Sequence, residues 1–399
     1  MKKIILLVLA FTLALSINAQ DKKEVFKKTL KVEGRIMYDF NFLSAGDDYN
    51  LSGNEFRRMR LSAKGKISKN VSYAADFDFA GSKIAYRNVY LKLTAPDKLG
   101  SLMIGSFPEP TGLDMMTSSK YITFVERAMM YATQGGKYGA GFRYDNYNLA
   151  DGKVGLQLAY TFNGGSNTAF KDVDLDGGAN FIGRITGKIL ENKDSNQLVH
   201  LGLNYELRNS NTDSYGIGAF RTENHMAGGV AKYEPGSFGD TSNKFLNTND
   251  IGFEAAVTFG SLSIQGEYEL ASIKTEDDTY KSSGYYGYVS YFLTGESRPH
   301  KNGAFGRVKP KSDFCLKDGN WGAVELVARY SVVDFNGYDV DDLSDDDIKI
   351  ANITAGFNWY LNNNTRIMYN YISGDYNDID PFGDKEKLAG HLLRFQIDF

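Results

Sequence analysis

From Met59 to Ile67 the odd positions read Met, Leu, Ala, Gly and Ile, while the even positions hold Arg60, Ser62, Lys64 and Lys66. After Ser68-Lys69-Asn70 the alternation resumes. Val71, Tyr73, Ala75, Phe77 and Phe79 fall on one side; Ser72, Ala74, Asp76 and Asp78 fall on the other. A sustained period of two predicts a strand with one apolar and one polar face. Two such strands across a short polar turn predict an antiparallel hairpin. In a soluble sandwich the apolar face turns inward. In a membrane barrel it meets lipid, and the polar face lines water.

Strand-like segments of this kind recur from 31–43 to 389–399, seventeen in all. A single-chain bacterial barrel takes an even number, with short turns at one end and long loops at the other. Short connections lie at Ser68–Asn70, Ala95–Gly100, Tyr147–Gly152, Leu190–Gln197, Gly260–Ser261 and Leu361–Asn363. Long ones lie at Ser44–Asn54, Pro108–Lys137, Gly164–Ala179 and Gly374–Leu388. The two kinds alternate only if 224–233 belongs to one long loop, Asn209–Asn247. An all-β antiparallel barrel of sixteen strands follows. It leaves one irregularity, a long connection Gly295–Gly319 at the short-turn end. His391–Phe399 alternates up to its final Phe, which resembles the terminal strand of outer-membrane barrels.

Composition narrows the choice. The 26 Tyr and 26 Phe suit strands and the aromatic girdles of a barrel. Met1–Ala19 reads as a signal peptide, with Lys2 and Lys3, an apolar run Ile4–Leu15, and Ala19 before Gln20. Residues 20–30 form a charged leader, and 31–399 the barrel domain. No later apolar run reaches spanning length, so any membrane crossing is by strands. The single Cys315 forbids an internal disulfide. Removing Lys2 and Lys3 takes the basic residues from 45 to 43, against 49 acidic ones. That balance argues against nucleic acid as a partner.

Metal and catalytic motifs are weak. Asp172, Asp174, Asp176 and Gly177 start like a calcium loop, but the bidentate Glu is due at Gly183, so an EF-hand is excluded. A looser calcium site at Asp172–Asp176 stays open. The acidic stretch Asp341–Asp347 suits a solvated surface or a cation bridge to lipopolysaccharide. His200, His225, His300 and His391 show no metal-site spacing, and GxSxG and P-loop motifs are missing. No cofactor and no enzyme are expected.

Strand parity gives a lumen map. The first strand points Lys31, Glu33, Arg35 and Asp39 inward, and the second Arg58, Arg60, Lys64 and Lys66. The eighth adds Arg184 and Lys188, and the sixteenth Arg394. Neighbours across the closure, strands sixteen, one and two form a basic wall. Glu254, Glu267 and Glu269 form an acidic one about half a barrel away. Facing walls of this kind would set up a transverse field. Asp76 and Asp78 are expected to pair with Lys64 and Lys66 across the hairpin.

Several stretches together resemble the phosphate-selective porin O and P family. They are Gly34-Arg35-Ile36, Phe56–Leu61, Gly105–Leu113 with Thr117–Tyr121 and Phe124–Ala128, and Tyr291–Pro299 with Gly303–Val308 and Arg329–Ser331. The resemblance implies a homotrimeric sixteen-stranded porin in the outer membrane, passing phosphate or other small anions. It implies that loops 108–137 and 209–247 fold into the lumen. It places a constriction lysine and arginine on Lys120 and Arg127, and paired arginines on Arg57 and Arg58. Arg35 and Arg60 complete the candidate anion-binding set. Where an acidic residue is expected on strand four the chain has Asn88, which bears on fine phosphate discrimination. A non-selective porin, and a plugged barrel acting as enzyme or surface receptor, stay open as alternatives.

Overall fold

The computed structural model describes residues 26–45, 49–82, 84–96, 98–133, 138–162, 178–209, 242–336, 348–375 and 387–399, with two-residue strands at 215–216, 220–221, 232–233 and 237–238. Among the described residues sixteen strands close into one antiparallel barrel in chain order. They are β1 Lys31–Ala45, β2 Tyr49–Lys66, β3 Val71–Asp78, β4 Ala85–Thr94, β5 Ser101–Pro108, β6 Tyr138–Leu149, β7 Val154–Phe162 and β8 Ala179–Asn192. The second half holds β9 Gln197–Asn209, β10 Phe245–Phe259, β11 Leu262–Thr275, β12 Thr279–Phe292, β13 Ala323–Asn336, β14 Ile348–Tyr360, β15 Thr365–Asp375 and β16 Lys387–Asp398. Among the described residues β9 pairs directly with β10, and most of the segment 224–233 lies outside the described residues. The calcium-like stretch 172–176, the acidic stretch 341–347 and the signal segment lie outside the described residues.

The barrel is inside out relative to a soluble fold. Met59, Leu61, Phe253, Ile264, Leu326 and Phe395 are exposed, while Arg60, Ser62, Glu254, Gln265, Glu325 and Arg394 are buried. An apolar outer surface of this kind belongs in lipid, where a Lys or Arg at the midplane costs about 2–4 kcal/mol. One expectation is corrected. Ser44–Asn54 is not a long loop: β1 runs to Ala45 and β2 starts at Tyr49, with Phe42 paired to Ser52 and Ser44 to Asn50. The Asn, Ser and Gly residues there look like loop residues, yet their backbone stays in the ladder.

Five strand pairs of the described barrel carry a register shift, and two of these bear on the candidate residues. Between β1 and β2 the register steps from Met37–Arg58 to Tyr38–Phe56, so Arg57 is extra. Between β3 and β4 it steps from Ala75–Val89 to Phe77–Tyr86, so Arg87 and Asn88 face Asp76 alone. A bulge re-aims a side chain that strict alternation would send outward. At the seam β1 pairs with β16, from Arg35–Asp398 to Ala45–Leu388. Gly34 and Phe399 exchange backbone hydrogen bonds at 2.9 and 3.1 Å.

Two segments enter the barrel from opposite ends. The first is the connection from β5 to β6, described over 109–133, with short helices α1 Leu113–Met116 and α2 Met130–Thr133. Its Phe124 and Met130 pack on Tyr286, Tyr288 and Val327, and its Val125 on Met368, Ile372 and Leu392. The second is the 293–322 connection, at the short-turn end. Its tip pairs His300–Lys301 with Ala304–Phe305. Phe305 packs against Leu113, Leu198 and Ala256, and its N–H donates to Thr117 Oγ1 at 3.2 Å. The two inserts therefore touch inside the barrel. Of the loop expected at 209–247, the strand Phe220–Arg221 lies against α2.

Candidate functional site

The inward loop is held by side chains of the barrel wall. Glu267 on β11 accepts the backbone N–H of Leu113 at 2.7 Å and of Asp114 at 2.8 Å. It also takes the hydroxyls of Tyr131 and Tyr286. Gly112, at φ +150°, lets the chain pass where any Cβ would strike the Tyr131 hydroxyl and Glu267. On the far side Arg366 donates to Ile122 O at 2.9 Å, Asn358 to Thr123 O at 2.7 Å, and Gln396 to Lys120 O at 3.1 Å. Val125 N–H donates to Asn370 Oδ1 at 2.8 Å. The expected acidic wall is thus in place but engaged. Glu267 anchors the loop, and Glu254 is locked to Arg184 and His200 at 2.6 and 2.8 Å.

Three of the candidate residues converge. Arg35, Arg60, Arg87 and Arg127 all lie within electrostatic reach of the Tyr138 hydroxyl at the loop's end. The Arg87 guanidinium sits 5.5 Å from the Tyr138 ring centre. Arg35 donates to Ser119 Oγ at 2.6 Å. Arg127 donates to the carbonyls of Asp114 at 2.9 Å, Met115 at 3.3 Å and Thr117 at 2.7 Å. Among the described residues neither makes an ion pair. Arg60 donates to Asp78 at 2.8 Å and lies 3.9 Å from Asp76. Asn88 donates to Asp76 at 3.1 Å. The expected Asp76–Lys64 and Asp78–Lys66 pairs are corrected: register sets Asp78 opposite Arg60 and Asp76 opposite Ser62, and Lys64 pairs with Glu33 at 3.0 Å.

The other three candidates sit elsewhere. Arg57 and Arg58 both turn to Glu126 of the inward loop, the first through two bonds of 2.9 and 3.1 Å, the second at 3.3 Å. Arg394 joins them at 2.7 Å and holds Asp39 with bonds of 2.7 and 2.6 Å. Burial would raise the Glu126 carboxyl, but Arg57, Arg58 and Arg394 outweigh it and hold it well below the ordinary range. Lys120 faces a recess near the short-turn end with Tyr121, Arg307 and Asn363. Its Nζ is 3.7 Å from Asp398, which Arg307 shares. Arg87 and Tyr138 were missed in the sequence. Arg87 adjoins Asn88, and parity can send only one of two neighbours inward.

A family model described as phosphate-selective porin O and P matches residues 30–399. The chain belongs to this family. Porin O of Pseudomonas aeruginosa is 27% identical over 96% of this chain and 91% of its own length. Among solved structures, an anion-selective porin from Comamonas acidovorans superposes with a TM-score of 0.58 at 14% identity, covering 94% of this chain and 100% of that one. OmpT of Vibrio cholerae gives 0.56 at 11%, covering 95% and 100%. These identities speak for the fold. The protein is an outer-membrane porin, so the short turns and the 293–322 insert lie on the periplasmic side.

Proposed function

We propose that this porin passes small oxyanions, phosphate foremost, through a lumen narrowed by the 109–133 loop. The observation that carries this reading is that Arg35 on β1 and Arg127 on the inward loop bond neutral oxygens and make no ion pair among the described residues, with the Arg87 guanidinium over Tyr138. Low-dielectric walls focus such a field and concentrate anions. Guanidiniums suit phosphate because their planar fork donates two parallel hydrogen bonds. A ring of basic side chains in a pore selects anions, provided binding stays weak enough for release. Membership of a phosphate-selective family and the likeness to the anion-selective Comamonas porin support the same reading. It makes the protein a channel rather than an enzyme. A trimer embedded in lipid and lipopolysaccharide is the assembly we favour, since a trimer form of OmpT superposes with a TM-score of 0.53 at 13% identity.

A non-selective channel is the competing reading. It is favoured by Asp39, Asp76, Asp78 and Glu126, which neutralise much of the basic wall. Single-channel recording in a planar bilayer separates the two. The expected result is an anion-selective reversal potential in a KCl gradient and a chloride current blocked by added phosphate. Cation preference would keep the porin and discard the oxyanion reading. No current at all would favour a plugged barrel.

A further inference from the structure

Three guanidiniums meet at the Glu126 carboxylate. Guanidiniums from two positions of β2 and one of β16 close on its two carboxylate oxygens. Arg57 addresses both oxygens in the side-on fork with which arginine takes phosphate or carboxylate. The seat is open at one edge: the side chains keep 12% exposure at Glu126 and 20% at Arg57. The three arginines differ in what else holds them. Arg394 is fixed by its two bonds to Asp39. Among the described residues Arg58 otherwise reaches only Met37 Sδ, at 3.5 Å. Arg57 has no second acidic partner among the described residues.

We propose that Glu126 is a built-in competing anion, seated where an oxyanion would otherwise bind and displaced from Arg57 and Arg58 as one passes. Arg394 stays with Asp39 and Glu126 throughout, so only the β2 arginines change partner. The inference rests on the oxyanion reading above. Its consequence is selectivity by exchange. Chloride is a single atom and cannot give the two arms of the Arg57 fork an oxygen each, as Glu126 does, so it displaces a carboxylate poorly. A tetrahedral oxyanion with two or more charged oxygens replaces it bond for bond. Affinity is lowered by the same competition, which favours release.

The test is phosphate block of chloride current in wild type, Glu126→Gln and Arg57→Gln. Glu126→Gln keeps the shape and removes the charge. It should lower the half-blocking phosphate concentration about tenfold and raise anion selectivity. Adding Arg57→Gln to it should reverse most of that gain. If Glu126 were only a staple for the loop, Glu126→Gln would give noisier or larger currents without tighter block, and the proposal would fall. If Glu126→Gln does not assemble, Arg57→Gln alone decides: a several-fold weaker block supports the seat, and an unchanged block removes it from the path. A wild type without phosphate block overturns the oxyanion reading itself. A blocked wild type with no change in Glu126→Gln overturns only the competitor.

Discussion

The two inserts that meet inside the barrel are held in opposite ways. The extracellular loop 109–133 is tied by its backbone. Glu267, Arg366, Asn358, Asn370 and Gln396 each bond a main-chain N–H or C=O of the loop. The tip of the periplasmic insert, His300–Phe305, is held mainly by the packing of Phe305 on Leu113, Leu198 and Ala256. Arg184 donates to Gly303 O at 2.7 Å, Phe305 N–H donates to Thr117, and Arg298 lies 3.7 Å over the Phe305 ring. His300 sits 4.9 Å from the His200 ring, and among the described residues neither of its nitrogens has a hydrogen-bond partner. The lesson is one of division. The loop that carries Arg127 and Glu126 must be rigid, because charge placement decides what passes. The insert beneath it fills space, and its removal is expected to leave those charges in place, because the wall bonds of the loop do not pass through it.

Breaking the anchor should have the largest effect. Glu267→Ala strands the N–H groups of Leu113 and Asp114, at a cost of about 2–6 kcal/mol. The loop should leave the wall, seen as a several-fold rise in single-channel conductance and protease cleavage within 109–137. Phe305→Ala should cost about 3–5 kcal/mol of local packing, yet leave anion selectivity in place while conductance rises modestly. If it abolished selectivity, the division between the inserts would be wrong.

Acid should separate the inserts more gently. Burial first, then His200, Arg184 and Lys188, push the His300 imidazole from 6.5 down to about 3, against the opposing pull of Glu254. The released histidine protonates near 6.5 and the seated one does not. Seating is therefore complete above pH 6.5 and weakens as pH falls toward 3, by up to about tenfold per unit. Conductance should rise between pH 7 and 5 in wild type and stay flat in His300→Gln. The smallest effect belongs to the insert's stem. Lys311 is exposed and donates to Thr294 O at 3.1 Å. Lys311→Ala should stay within about 0.5 kcal/mol by thermal unfolding, with unchanged currents.

Much of the architecture was legible because one property, period-two alternation against loop length, reports both strand and orientation. The sixteen strands and the inward course of the loop after β5, described over 109–133, came from it or from the family motifs. What escaped has a common cause. Alternation assumes that every residue flips the face, and the bulges at Arg57 and at Arg87-Asn88 suspend that rule where the charges are densest. Partner choice escaped too. Glu267 and Arg127 look like wall and constriction charges in sequence. Only contacts spanning 154 positions, as from Leu113 to Glu267, show that one anchors the loop. Arg127 keeps its charge while its donors hold the Asp114, Met115 and Thr117 carbonyls, so it also ties the loop to itself.

The seam between β1 and β16 sets a timetable. Arg394 and Asp39, bonded across it, are 355 positions apart. During synthesis at 5–20 residues per second, β1 exists for about 20–70 s before its partner does. Through that interval one edge of β1 has no strand to pair with, and bare edges invite intermolecular pairing. The chain must therefore be kept apart from its copies over that interval, and the ring can close only after its last strand exists.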